Sequence, residues 1–253
     1  MNKCKKFFLY FFFITNAFGG EIFQSGARNI SFSPDMRYIA YTTWNDKGLF
    51  LYELESNRSI TVSQACGAGR YYRFSPDGRF LLFKEVVRDT DRIIQRAVRV
   101  DLYGMQREIL VQSDLVGNPS QSSYGEIAVS VDNELIILDG GTRKSMNLGN
   151  YANLTPISPD GKFVVYNSND DQLFLLDLQT AKKEKMSPDE VGSFEPVISP
   201  KGRFVLYKRA DEIIEIKGIN SQRGFELRNA MEPQFLYNEK GVVFSRIYTS
   251  GYT

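Results

Sequence analysis

Short apolar runs alternate with polar turns along this chain at regular intervals. Tyr38-Ile39-Ala40-Tyr41, Phe80-Leu81-Leu82-Phe83, Phe163-Val164-Val165-Tyr166 and Phe204-Val205-Leu206-Tyr207 are unbroken apolar segments. Each has the length of a β-strand. No polar residue alternates within it, so both faces are expected to be buried. A further run follows after a polar turn, as in Leu49-Phe50-Leu51-Tyr52 and Leu173-Phe174-Leu175-Leu176, and weaker, more polar strands are predicted over Arg58 to Val62 and Glu108 to Val111. The connectors are short and polar. Lys182 to Gly192 carries no apolar stripe of helical period, which argues against crossover helices and a parallel sheet.

A repeated tetrapeptide introduces these runs: Ser33-Pro34-Asp35-Met36, Ser75-Pro76-Asp77-Gly78, Ser158-Pro159-Asp160-Gly161 and Ser199-Pro200-Lys201-Gly202. In such a turn Pro presets the first corner, Asp bonds its own backbone and Gly accepts positive φ. The prolines are separated by 42, 83 and 41 residues, so the middle interval should hide one more copy. Ser123-Tyr124-Gly125 before Ile127-Ala128-Val129 fits that place, and a sixth copy is read at Glu239-Lys240-Gly241 before Val242-Val243-Phe244. Ser187-Pro188-Asp189 falls out of register and precedes no apolar run.

Four-stranded units of about 40 residues, buried on both faces, pack side by side around an axis. The expected fold is therefore all-β, a six-bladed β-propeller with blades near 27–65, 69–113, 117–148, 152–187, 193–228 and 231–253. The last unit is short. It is expected to be incomplete or to be closed by an N-terminal strand over Glu21 to Gln24.

The extreme N-terminus reads differently. Lys3, Lys5 and Lys6 precede the apolar run Phe7 to Ile14, and Ala17-Phe18-Gly19 follows with small residues two apart. This is the pattern of a signal peptide over 1–19, cleaved after Gly19 or Gly20, with an apolar stretch too short to span a bilayer. The expected chain is thus periplasmic or secreted, and no stable membrane anchor remains after cleavage. Without residues 1–19 it has 28 basic and 30 acidic residues and no basic cluster, so nucleic acid is not an expected partner. Cys66 is then the only thiol, which rules out an internal disulfide in the mature chain.

The chain contains no histidine. A Ser-His-Asp triad, a Cys-His dyad and any imidazole ligand or base are thereby excluded, and the expectation is a protein that is not an enzyme, with no catalytic residues. Candidate binding residues are those just before each turn, where innermost strands would meet the axis: Arg28, Arg70, Tyr71, Tyr72, Glu195 and Glu232, with Asn153 in the fourth unit. Glu195 and Glu232 each precede a proline and should occupy equivalent places. With Arg28 or Arg70 as partners they would form a polar ring; alternatively the two carboxylates could hold Ca²⁺ in the central channel. No other cofactor and no dedicated metal site is expected. Alternation along the strand makes one of Tyr71 and Tyr72 a packing residue. Phe163 and Phe204 are expected in the core, and Val86 to Val100 should form an overhanging hairpin bearing Arg88, Arg92, Arg96 and Arg99.

The S-P-D-G turn followed by an apolar strand resembles the PD40 (WD40-like) repeats of TolB-type propellers. The resemblance covers about residues 27–247, with Met36 in place of the turn Gly and Lys201 in place of the Asp. It implies envelope complexes as the setting; with the export signal and the absence of histidine, the expectation is a monomeric, exported, non-catalytic scaffold that binds an envelope protein or peptide. Two alternatives stand beside it, the first implied by similar repeats and the second by the Glu, Tyr and Arg residues available. One is a truncated gating propeller of a prolyl-oligopeptidase-type peptidase; the other is a small-ligand or carbohydrate-active propeller.

Overall fold

The computed structural model describes residues 27–43, 47–221 and 223–246. The expected signal peptide, the proposed closing strand at Glu21 to Gln24 and residues 247–253 lie outside the described residues. Within them the regular structure is all β, twenty-one strands in five antiparallel sheets. The first sheet spans two sequence repeats. It holds β1 (Arg28–Phe32), β2 (Tyr38–Thr42), β3 (Lys47–Glu53), β4 (Arg58–Cys66), β5 (Arg73–Phe74), β6 (Phe80–Asp89), β7 (Arg92–Asp101) and β8 (Gln106–Ser113). The join is a single pairing of Cys66 with Val86 between β4 and β6.

The next sheets each follow one repeat. β9 (Ser120–Gln121), β10 (Ile127–Val131), β11 (Glu134–Asp139) and β12 (Thr142–Asn147) form one; β13 (Phe163–Asn167), β14 (Leu173–Asp177) and β15 (Lys183–Lys185) another. β16 (Ser193–Ile198), β17 (Phe204–Arg209), β18 (Ile213–Gly218) and β19 (Gly224–Arg228) form the fourth sheet, and β20 (Ala230–Phe235) with β21 (Val242–Arg246) the fifth.

The apolar runs are the buried strands, as their composition dictates. Leu81, Leu82 and Phe83 in β6 are fully buried, as are Val164 and Val165 in β13 and Val205 and Tyr207 in β17. Successive buried residues point to opposite faces, so each of these strands packs against a sheet on both sides. The last strands of the units, β8, β12 and β19, are mostly exposed. Phe163 and Phe204 depart from expectation: each is half-buried and packs against the rim of a core cluster. They open their strands at the turn, where a ring can be covered by a neighbouring cation; Arg203 lies 5.9 Å from the centroid of Phe204.

The turns have a mechanism that the sequence pattern alone understated, because their serines are buried. Ser33 Oγ donates to Asp35 Oδ1 at 2.6 Å and accepts from the Tyr38 amide at 2.9 Å. Ser158 repeats this with Asp160 at 2.6 Å and the Phe163 amide at 2.9 Å. In the third unit the turn is Ser122-Ser123-Tyr124-Gly125: Gly125 N–H donates to Ser122 O, and the Ser122 hydroxyl reaches Glu126 because Tyr124 holds the Asp position.

The sixth turn is corrected: its left-handed position falls two residues earlier, at Glu239 instead of Gly241. Leu236 N–H donates to Gly241 O and Glu239 N–H to Leu236 O, as Ser199 and Gly202 do in the fifth. The turn is therefore Leu236-Tyr237-Asn238-Glu239, with Glu239 at φ 58° where Gly202 has φ 70°. The last sheet also touches the first. Gln234 Nε2 donates to Ile30 O at 3.1 Å and the Tyr237 hydroxyl to Pro76 O at 3.0 Å, which brings the two ends of the described chain together.

Candidate functional site

Three innermost strands carry the same irregularity. β1, β16 and β20 each contain a bulge, between Arg28 and Ser31, Phe194 and Val197, and Met231 and Gln234. Within each bulge one residue is left-handed: Asn29 at φ 48°, Glu195 at φ 54° and Glu232 at φ 50°. A bulge re-aims a side chain out of the pleat at a modest cost in backbone strain, and such devices concentrate where a sheet presents a group. Glu195 and Glu232 thus do hold equivalent positions. Counting back from Pro76 and Pro200 puts Tyr71 at the same place as Glu195.

These positions from distant units meet. The Tyr71 hydroxyl donates to Glu195 Oε1 at 3.2 Å across 124 residues of sequence, and Arg73 Nη2 donates to the Pro196 carbonyl at 3.1 Å. Lys208 Nζ lies 2.5 Å from Glu195 Oε2. The expected arginine partner of Glu195 is therefore replaced by a lysine, because β17 pairs Lys208 directly opposite Phe194, next to the carboxylate. Arg70 instead stacks over Tyr71, 5.3 Å from its ring centroid.

Lys84 extends the cluster to the fourth unit. Its Nζ donates to Asn153 Oδ1 at 2.8 Å and to the Tyr151 hydroxyl at 3.2 Å. Tyr151 in turn donates to Val116 O at 3.0 Å, and Asn153 accepts from Asn118 Nδ2 at 3.1 Å.

Charge and burial perturb these groups in consistent directions. Burial, with Arg70 as a second cause, brings the Lys84 amine down to about 8. Burial alone brings Arg73 down to about 10 and pushes the Tyr151 phenol up to about 12. The Tyr71 phenol is raised by burial and then by the adjacent Glu195 carboxylate. Each direction follows from placing a charge, or a group that would become one, in a poorly solvated region.

The two tyrosines divide as alternation requires. Tyr72 packs on the core of the first sheet, its hydroxyl donating to Ala40 O at 2.8 Å, while Tyr71 faces the cluster. Arg28 and Glu232 are exposed on β1 and β20. Lys84, Lys208 and Tyr151 were missed in the sequence. Lys84 and Lys208 nonetheless share a signal: each is the polar residue that closes its apolar run, at the repeat position also held by Thr42 and Asn167.

Among the described residues no three His, Cys, Asp or Glu side chains converge in a way that could hold a metal ion. Glu195, named for Ca²⁺ with Glu232, is engaged by Lys208 and Tyr71. Among the described residues no helix is long and apolar enough to cross a membrane.

Similar solved structures set this arrangement in a known architecture. TolB from Acinetobacter baumannii superposes with a TM-score of 0.61 at 18% identity, over 81% of this chain and 55% of that one. The fold is a TolB-like β-propeller. An oligogalacturonate lyase in complex with manganese has a TM-score of 0.61 at 15% identity, over 88% of this chain and 74% of that one. The oligogalacturonate lyase from Vibrio parahaemolyticus gives 0.62 at 15% identity, over 89% and 76%. This chain spans 55% of the length of the Acinetobacter TolB. No protein-family model and no curated protein matches the sequence. The contacts of Tyr71 with Glu195 and of Arg73 with Pro196 join the first strands of the second and fifth units across more than 120 residues of sequence.

Proposed function

We propose that this chain is an exported, non-catalytic propeller of six blades that binds a protein or peptide of the cell envelope at the end of its axis. The observation that carries the reading is the state of Glu195. It is the carboxylate placed at the centre of the cluster, and it is committed on both oxygens, to Tyr71 and to Lys208. A general acid or base needs a free, titrating group within reach of substrate. A carboxylate fixed between a phenol and an ammonium positions its neighbours instead. Around it stand tyrosines and arginines, the residue types that anchor protein interfaces.

The test is a cross-linked pull-down from native envelopes with the tagged full chain. An Arg70→Glu, Glu195→Lys double variant serves as control. The reading expects one envelope protein recovered with wild type and lost with the variant. Recovery of the same proteins by both would count against this site.

A carbohydrate-active reading has one observation in its favour. Two similar structures are oligogalacturonate lyases, and the Lys84 amine, near 8, is in the range of a general base. Incubation with oligogalacturonate, followed by absorbance of unsaturated products, decides it. Turnover that disappears in Lys84→Met would replace the scaffold reading.

A further inference from the structure

We propose that the axial cluster is a receptor for the carboxylates of an acidic peptide segment, with Arg70 and Lys84 as the groups that hold them. The inference rests on the binding-scaffold reading and names the chemistry of its ligand.

Contacts link Lys208, Glu195, Tyr71 and Arg70, and Arg73 joins them through the Pro196 carbonyl; Lys84 lies on β6, the strand that pairs with β5 of Arg73, and among the described residues Glu195 is the anion in these contacts. Lys208 is paired with that carboxylate. The other three cations have neutral company: Arg73 a backbone carbonyl, Lys84 the oxygens of Tyr151 and Asn153, Arg70 the ring of Tyr71. Arg73 and Lys84 are partly buried, where a cation without a counter-ion is costly, and the charge of exposed Arg70 further disfavours the Lys84 ammonium. Among the described residues the cluster thus carries more cations than anions, Arg73 and Lys84 among them partly buried, and its neutralising anion is left to a ligand.

A carboxylate suits the donors. The planar guanidinium of exposed Arg70 matches its two oxygens, and Lys84 supplies a point charge beside it. The rim favours a peptide over a saccharide as the carrier. Phe194, 37% exposed, pairs opposite Lys208 and offers apolar contact next to the charges; Met231, 45% exposed, precedes the bulged Glu232 in the last unit as Phe194 precedes Glu195. Aromatic and Met side chains beside Arg are the mixture that protein interfaces use.

The experiment is fluorescence anisotropy with a labelled Gly-Ser peptide bearing glutamates and with its twin carrying Gln at those positions. Oligogalacturonate serves as the saccharide arm. The Glu peptide should bind with an affinity that falls as salt rises, and the Gln peptide about tenfold more weakly or worse. Lys84→Met and Arg70→Gln should each lose about tenfold, while Lys84→Arg keeps binding. Glu195→Gln should bind the Glu peptide more tightly, because it removes the competing anion and frees Lys208. Calorimetry at pH 8 should register uptake of up to about half a proton as the peptide recharges Lys84.

Equal affinity for the two peptides, weaker binding by Glu195→Gln, or preference for oligogalacturonate over the Glu peptide would overturn the proposal. If Lys84→Met fails to fold, the Lys84→Arg and Glu195→Gln arms decide. The two readings fail separately. An envelope partner captured equally by wild type and Lys84→Met, with no Glu-peptide binding, sinks this inference and leaves the scaffold. Glu-peptide binding without any captured envelope protein does the reverse.

Discussion

The Glu239 side chain supplies the carboxylate that Lys201 cannot. Its Oε1 accepts from the Lys201 amide at 2.5 Å and its Oε2 from Arg203 Nε at 2.6 Å, and Ser199 also bonds to it. In the first, second and fourth turns an Asp within the turn fills this place. In the fifth that position is Lys201, and the group comes from the turn of the following unit. Burial pushes the Glu239 carboxyl up, yet the bonds from Ser199, Arg203 and Lys201 outweigh it and hold the carboxyl below its ordinary range. The glutamate thereby fastens the last unit to the fifth.

Glu239→Gln should therefore destabilise the chain by about 1–3 kcal/mol, the worth of hydrogen bonds to a charged acceptor. Adding Lys201→Asp, which restores a carboxylate inside the fifth turn, should recover part of the loss. Urea melts of the two single variants and the double variant form the cycle. Strict additivity would show that the two positions do not substitute for one another.

The first turn offers a gain. Met36 sits at φ 59° and is half exposed, where the second and fourth turns have Gly78 and Gly161 at 73° and 70°. A left-handed non-glycine residue carries a backbone penalty of about 1 kcal/mol. Met36→Gly should raise stability by a few tenths to about 1 kcal/mol in the same urea measurement, net of the freedom Gly adds to the unfolded chain.

Core truncations should separate the strand centres from their first residues. Phe83 is fully buried, so Phe83→Ala should cost about 3–5 kcal/mol. Phe204→Ala removes a half-buried ring and should cost clearly less. Equal losses at both positions would mean that the turn-proximal rings belong to the core.

The depressed Lys84 amine makes stability depend on pH in a defined window. Its folded value is about 8 against 10.5 in a model peptide, so between these values the unfolded chain binds more protons. Stability from this group therefore rises with pH from about 8 towards 10. Above about pH 10 the raised phenols act oppositely: unfolded tyrosines ionise while Tyr71 and Tyr151 stay protonated, and stability falls. Thermal melts from about pH 7.5 to 9.5 should show the rise in wild type and a flatter profile in Lys84→Met.

Much of the fold was legible because a propeller writes itself as a repeat. The doubly apolar runs at Phe80 to Phe83 and Phe204 to Tyr207 could only be buried strands, and the S-P-D-G turns gave the period. Legibility failed where one unit borrowed from another. The sixth turn was misread because Glu239-Lys240-Gly241 contains the glycine, whereas the chain puts the non-glycine Glu239 in the left-handed position and uses its carboxylate elsewhere. The joining of β4 to β6 through Cys66 and Val86 likewise has no local signature.

At the candidate site, the bulge residues Glu195 and Glu232 were visible from their prolines. Their partners were not. Lys208 reaches Glu195 through cross-strand pairing, and Tyr71 through a contact over 124 residues, neither of which spacing along the chain encodes.

The central claim is that a protein docks on the axial cluster and meets no catalysis there. The most direct measurement replaces Tyr71 by the photo-reactive p-benzoyl-phenylalanine in the full chain, with Ile109 on exposed β8 as the comparison position. After irradiation of intact cells, the account predicts one protein adduct at position 71 and none of that identity at position 109. The same adducts at both positions, or none at position 71, would contradict it.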